Sequence, residues 1–111
     1  MAEQDRTAQI AQLNDGLRTN GTGGRILITA GIKAKDDEFI ARAALGLRTY
    51  TNFSEDNDPY HEHDFGALEI EGEKLLWKID YYNLTLDAGS EDPADPKITT
   101  RVLTLMLASE Y

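Results

Sequence analysis

The chain has 111 residues, of which 41% are hydrophobic and 28% are charged, so it is predicted to fold as one domain, 1–111, with a single buried core. Its 20 acidic and 11 basic residues give a formal net charge of −9, which argues against direct binding to nucleic acid or to an anionic membrane. Because the sequence contains no cysteine, no apolar leader and no long apolar run, it excludes disulfides and predicts a cytoplasmic protein.

The first half of the chain is predicted to form a helix, a strand and a second helix. Apolar residues recur at helical spacing over residues 5–18, and a glycine-rich connection follows. The β-branched run at residues 25–29 predicts a buried strand. The acidic residues 36–38 favour a helix N-terminus, and the apolar face behind them predicts a helix that ends near Tyr50.

Residues 65–82 have the clearest pattern in the chain. Apolar and polar residues alternate on both sides of Glu71-Gly72-Glu73, which predicts an antiparallel hairpin with Trp77 and Ile79 buried on one face. The polar segment 51–60 before it is predicted to be an ordered loop, because aromatic residues interrupt it.

The C-terminal segment allows two interpretations. Asp95-Pro96 is a favourable start for a helix over residues 97–108, with Ile98, Val102, Leu105 and Met106 facing inward. The β-branched residues of the same segment make a strand the alternative. With the helix chosen, the predicted fold is α+β, a small, mostly antiparallel sheet with helices packed on one face.

Ionisable side chains are densest in residues 56–66, which contain both histidines. In an extended His-x-His segment the two imidazoles share a face, and a flanking carboxylate would complete a divalent-metal site, for which the candidates are His63, Asp58 and Asp64. The alternative is structural. In that case the aspartates accept hydrogen bonds from loop amides, and the histidines pack against aromatic residues.

Eight carboxylates and no lysine or arginine lie between Arg48 and Lys74. Such a concentration of negative charge is predicted to attract a basic protein surface, including the nucleic-acid groove of another protein. The alternative is a solvated face with no partner. The predicted partner-binding residues are Glu55, Asp56, Asp58, Glu62, Glu69, Glu71 and Glu73.

Several short sequence motifs, in the order in which they occur along the chain, resemble those of a known family. They are Asn57-Asp58-Pro59-Tyr60, Glu62-His63-Asp64-Phe65-Gly66, Trp77-Lys78-Ile79-Asp80-Tyr81-Tyr82, Asp92-Pro93-Ala94-Asp95-Pro96 and the stretch from Thr99 to Tyr111. Together they resemble the bacterial family described as domain of unknown function 3768. The resemblance implies no activity, cofactor or catalytic residue, but it implies a setting among accessory and mobile-element genes. It also implies that the position of His61 varies, which leaves His63 as the better metal candidate.

These observations lead to one expected function and two alternatives. We expect a small non-enzymatic interaction module, an accessory regulator or inhibitor that binds a basic protein surface, with no cofactor and no catalytic residue. The first alternative is a divalent-metal-binding protein or metal-dependent enzyme centred on His63. The second is a homo-oligomer whose contact is formed by Trp77, Tyr81 and Tyr82.

Overall fold

The computed structural model describes residues 2–111, with side chains from Arg6 onward. It contains helices and a four-stranded sheet, so the predicted α+β class is confirmed. None of the described helices is long and apolar enough to cross a membrane. In chain order the elements are α1 Ala2–Asn20, β1 Gly24–Ile28, α2 Ala30–Lys33, α3 Asp37–Arg48, β2 Phe65–Ile70, β3 Glu73–Tyr82, β4 Thr100–Leu107 and a 3₁₀ turn Ala108–Glu110.

The sheet has the strand order β1-β4-β3-β2. Strands β2, β3 and β4 pair antiparallel in succession, whereas β1 pairs parallel to β4. The sheet is therefore mixed, and the prediction of a mostly antiparallel sheet was wrong. A parallel neighbour needs a long crossover, and here two helices and the β2–β3 hairpin lie between β1 and β4.

The predicted hairpin is confirmed. Strands β2 and β3 are joined by Glu71 and Gly72, which both have positive φ, 54° and 84°, the geometry of a tight two-residue hairpin turn. The same face of β3 carries Trp77 and Ile79, whose exposed fractions are 0% and 4%. The alternation in the sequence therefore predicted the correct buried face of β3 and the correct position of the turn.

The predicted helix over residues 97–108 is wrong, because most of this segment is the central strand β4. The chain runs through a turn before Thr100 and then pairs with β1 on one side and β3 on the other. Both faces of β4 are buried, with Val102 and Met106 on one and Leu103 and Leu105 on the other. The β-branched residues that disfavoured a helix agree with this outcome.

The run predicted as a buried strand is an exposed edge strand. Strand β1 lies at the end of the sheet, and Ile26 and Leu27 are 42% and 52% exposed. Its first residue is packed closely, since a Cβ on Gly24 would lie 2.6 Å from the carbonyl oxygen of Arg101. Glycine therefore lets β1 approach β4, while the outer edge of β1 stays open.

One core joins the helices to the sheet. Helix α3 begins where the acidic residues predicted, because the Asp36 carboxylate accepts the N–H of Phe39 at 2.8 Å. Helix α1 extends beyond its predicted bounds at both ends, and the sequence analysis did not predict α2. The buried residues of this core are Leu17, Ile32, Phe39, Ala43, Leu47, Tyr50, Leu75, Trp77, Ile79, Leu103 and Leu105.

Candidate functional site

The polar residues of α1 face the loop that connects α3 to β2. Asn14 and Arg18 are one helical turn apart, and their exposed fractions are only 0% and 5%. Asp15 lies between them and is partly exposed. This polar row contacts the loop between residues 49 and 64, where the sequence concentrates its histidines and carboxylates.

The imidazole of His63 is held on three sides. Its Nδ1 lies 3.0 and 3.1 Å from the two carboxylate oxygens of Asp15, and its Nε2 lies 3.6 Å from Oδ2 of Asp58. The ring stacks on Phe53 with the centroids 4.0 Å apart and an interplanar angle of 7°. The imidazole therefore links Asp15 on α1 to Asp58 in the loop.

The backbone around His63 is strained and is secured by Asp58. His61 and His63 have φ of 60° and 56°, in the left-handed region that side chains other than glycine rarely adopt. The Asp58 carboxylate, 3% exposed, accepts the N–H of His63 at 3.0 Å, and the Asp58 carbonyl accepts the N–H of His61 at 3.1 Å. The structural interpretation of this motif is confirmed for Asp58, which bonds a loop amide, and for His63, which packs on an aromatic ring.

A second network joins α1, the loop and the sheet. Asn14 accepts a hydrogen bond from Nε of Arg101 at 2.8 Å and donates to the hydroxyl of Tyr81 at 2.8 Å and to the carbonyl of Glu62 at 2.9 Å. The Tyr81 hydroxyl donates to the Glu62 carboxylate at 2.8 Å. Burial raises the pKa of Tyr81, the hydrogen bond to Glu62 raises it further, and burial lowers the pKa of Arg101. The loop is therefore tied to the core through buried polar groups.

Arg18 fastens the same loop to the end of α3. Its guanidinium donates to the carbonyl oxygens of Leu47 at 3.0 Å and Tyr50 at 2.9 Å, and it forms an ion pair with Asp15 at 3.1 Å. It also lies over the rings of Phe53 and Trp77. Arg18 therefore supplies a donor to the Tyr50 carbonyl, just beyond the end of α3, and a second donor to the Leu47 carbonyl, which also accepts the N–H of Tyr50.

The side of His63 that faces Asp58 borders a small polar cavity. The cavity has a volume of about 350 Å³ and is lined by Phe53, Ser54, Glu55, Asp58, His61 and His63. Sequence analysis had already singled out Asp58, His61 and His63. It missed Asp15 and Arg18 on α1 and the buried pair Asn14 and Arg101, which come from distant parts of the chain.

The metal candidates are only partly brought together. Asp58 and His63 are adjacent, whereas Asp64 is bonded to β3 through its backbone, where its carbonyl accepts the N–H of Ile79 at 2.9 Å. Burial raises the pKa of the Asp64 carboxyl, and the neighbouring charge of Glu62 raises it further. Within the described residues, no group of three or more His, Cys, Asp or Glu side chains has an arrangement that could hold a metal ion.

The seven predicted partner-binding carboxylates separate into two groups. Asp58 and Glu62 are engaged in the loop networks, and Glu73 forms an ion pair with Lys35. The other four are exposed. They form two surfaces, a loop patch of Glu55 and Asp56 and a hairpin patch of Glu69 and Glu71.

The homo-oligomer alternative requires Trp77, Tyr81 and Tyr82 to lie at the surface. Trp77 is fully buried and packs edge-on against Tyr50, with ring centroids 5.5 Å apart. The Tyr81 hydroxyl is bonded inside the second network. A contact between copies therefore cannot use Trp77 without opening the core.

Comparison with known proteins identifies the family. Residues 28–110 match the family model described as "Protein of unknown function (DUF3768)". The match covers most of the chain, so the chain belongs to this family, as the sequence motifs predicted. No curated protein and no solved structure is significantly similar to it.

Proposed function

We propose that the chain is a small non-enzymatic interaction module that binds a basic protein surface, with the role of an accessory regulator or inhibitor. The observation that carries this proposal is the exposure of four carboxylates from the acidic run, in the loop patch and the hairpin patch. They belong to a chain with a net charge of −9, which favours encounter with a positively charged partner.

The loop patch is the more strongly exposed of the two. The Glu55 side chain is 82% exposed, and Nε2 of His61 lies 3.6 Å from its carboxylate. The hairpin patch is partly compensated, since Glu71 lies 3.9 Å from Arg42 and Glu69 stands opposite Lys74 in the hairpin. We therefore assign the main electrostatic contribution to the loop patch.

The loop patch is presented by an ordered scaffold. Asn57 accepts the N–H of Ser54 at 2.9 Å and donates to the carbonyl of Asn52 at 2.8 Å, so the loop closes on itself around the patch. In this proposal the helices cover one face of the sheet, which is supported by the core that Leu17 and Phe39 share with Trp77. A preformed patch loses little conformational entropy when it binds.

The test is affinity capture from a native lysate with the full chain as bait, followed by identification of the retained proteins. The bait carrying Glu55→Lys and Asp56→Lys is expected to lose the proteins that the unmodified chain retains. The bait carrying Glu91→Lys, an exposed carboxylate outside the acidic run, is the control and should retain them. Retention that is unchanged by the loop-patch substitutions, or retained proteins that are acidic, would contradict the proposal.

A further inference from the structure

The open edge of β1 borders an apolar groove. The groove has a volume of about 280 Å³, and its walls come from the end of α1, the inner side of β1 and the last turns of α3. The apolar lining residues are Ile26, Ile28, Ile40, Ala44, Leu47 and Leu105. Exposed apolar side chains beside an unpaired strand edge are features of a surface that accepts another polypeptide.

The hydrogen-bonding groups of β1 are arranged for an added strand. The N–H of Thr29 donates to the carbonyl of Leu105 at 3.1 Å. This bond shows which residues of β1 direct their backbone groups toward β4 in the parallel ladder. In such a ladder alternate residues point toward and away from the neighbour, so the N–H and C=O groups of Ile26 and Ile28 point outward. The side chains of the same two residues line the groove. Free backbone hydrogen-bonding groups and an apolar surface therefore lie next to each other.

The charge around this groove is opposite to that of the whole chain. Its lining includes Arg18 and Arg48 and, within the described part of the chain, no aspartate or glutamate. Arg18 forms an ion pair with Asp15 and donates hydrogen bonds to the carbonyls of Leu47 and Tyr50. Arg48 is exposed, and no described carboxylate lies within ion-pair distance of it. Arg25 adds an exposed cation on β1 itself, on the face of the sheet opposite to Ile26 and Ile28.

We propose that the β1 edge and this groove bind an extended segment of a partner protein in which apolar residues alternate with acidic ones. The segment adds a fifth strand next to β1. Its apolar side chains enter the groove on the side of Ile26 and Ile28, and its carboxylates, which alternate with them, lie on the opposite face of the sheet beside Arg25. A second copy of this chain fits less well, because pairing of two β1 edges would bring the Arg25 side chains of both copies together.

The test uses a synthetic blocked hexapeptide of alternating valine and glutamate, and the full chain labelled with ¹⁵N. On binding, the amide hydrogens of Ile26 and Ile28 should exchange more slowly with solvent. Those of Leu27 and Thr29, which point toward β4, should already be protected and change little. A hexapeptide with lysine in place of glutamate is the matched control and should bind at least roughly tenfold more weakly.

Two variants make the assignment specific. Arg25→Glu should weaken binding of the glutamate peptide by roughly tenfold, whereas Lys97→Glu makes the same charge change outside β1 and should not. Ile26→Pro removes an outward N–H without removing a bond to β4 and should also abolish binding. Equal binding of both peptides, no binding of either, or slowed exchange caused by a concentration-dependent dimer would overturn the proposal. The loop-patch proposal is unaffected by these outcomes, since its test changes different residues.

Discussion

At the level of single residues, His63 is a stabilising contact between the loop and α1. It joins Asp15, Asp58 and Phe53, so removal of its ring leaves two carboxylates close to each other without the group between them. We expect His63→Ala to lower the free energy of unfolding by roughly 1 to 2 kcal/mol, measured by urea titration. Metal content, measured by elemental analysis, should be the same in both proteins.

His61→Ala is the control for this substitution. His61 has nearly the same positive φ, so alanine suffers the same backbone strain at both positions, but its side chain is 65% exposed. We expect it to change stability much less. If instead purified protein carried a stoichiometric divalent ion that only His63→Ala removed, the metal alternative would replace the structural interpretation.

Tyr81 connects stability to alkaline pH. Its folded-state pKa is raised above the ordinary 10.0, so the unfolded chain loses this proton first as the pH rises. The contribution of Tyr81 is therefore complete below about pH 10 and falls above it. Tyr81→Phe should cost about 1 kcal/mol at neutral pH, and this difference from the unmodified chain should shrink as the pH rises above that value.

The measurement is a series of urea titrations from neutral to alkaline pH. Tyr60→Phe is the matched control, because Tyr60 is 78% exposed, and it should leave the pH dependence unchanged. A stability difference between Tyr81→Phe and the unmodified chain that stays constant with pH would show that burial does not perturb this hydroxyl.

The site was predictable only where its residues are neighbours in sequence. The 56–66 segment contains its own turn chemistry, so the role of Asp58 in bonding a loop amide could be inferred. Asn14 and Arg101 are 87 positions apart, and only the fold brings them together. One signal was present, namely a polar residue at an inward position of an apolar pattern: Asn14 precedes Leu17 by three residues, and Arg101 alternates with Leu103 and Leu105.

Among the elements, the β2–β3 hairpin contributes most visibly to the core. Trp77 has no exposed surface and contacts the aromatic rings of Tyr50 and Phe53. Trp77→Ala should therefore cost about 3 to 5 kcal/mol in the free energy of unfolding, measured by denaturant titration. Leu84→Ala, at a position that is 63% exposed, is the control and should cost far less. A small loss for Trp77→Ala would contradict its place in the core.

The helix predicted for β4 and the burial predicted for β1 were wrong for physical reasons that do not apply to the hairpin. Strand β4 is central and buried on both faces, so its apolar residues do not alternate and their spacing also fits a helix. Strand β1 has the apolar composition of a buried strand, yet it lies at an edge. Position in a sheet depends on pairing between distant segments, and the pattern of one segment does not contain that information.

For the molecule as a whole, the fold redistributes charge that the sequence concentrates. Lys35 and Arg42 come from outside the acidic run and approach Glu73 and Glu71. The hairpin patch is therefore less negative than the sequence suggested. The loop patch keeps its charge, while the β1 edge carries exposed arginine. An acidic chain thus presents two surfaces of opposite sign, which sequence charge alone did not predict.

Once a basic partner is captured, we expect the loop patch to act mainly on its rate of association. Exposed charges at the rim of an interface mainly accelerate encounter, and salt screens them. Association of the unmodified chain should therefore slow steeply with increasing ionic strength in stopped-flow measurements. With Glu55→Lys and Asp56→Lys, association at low salt should slow by roughly tenfold or more and its salt dependence should flatten, whereas dissociation should change less.

Reversal at Glu69 and Glu71 should have a smaller effect on association than reversal at Glu55 and Asp56, because Arg42 and Lys74 already lie close to the hairpin patch. This comparison separates steering by a specific surface from a general effect of net charge, since both double variants change the net charge by the same amount. Equal slowing by the two variants would mean that only the total charge matters. An association rate indifferent to salt would mean that the loop patch is merely solvated.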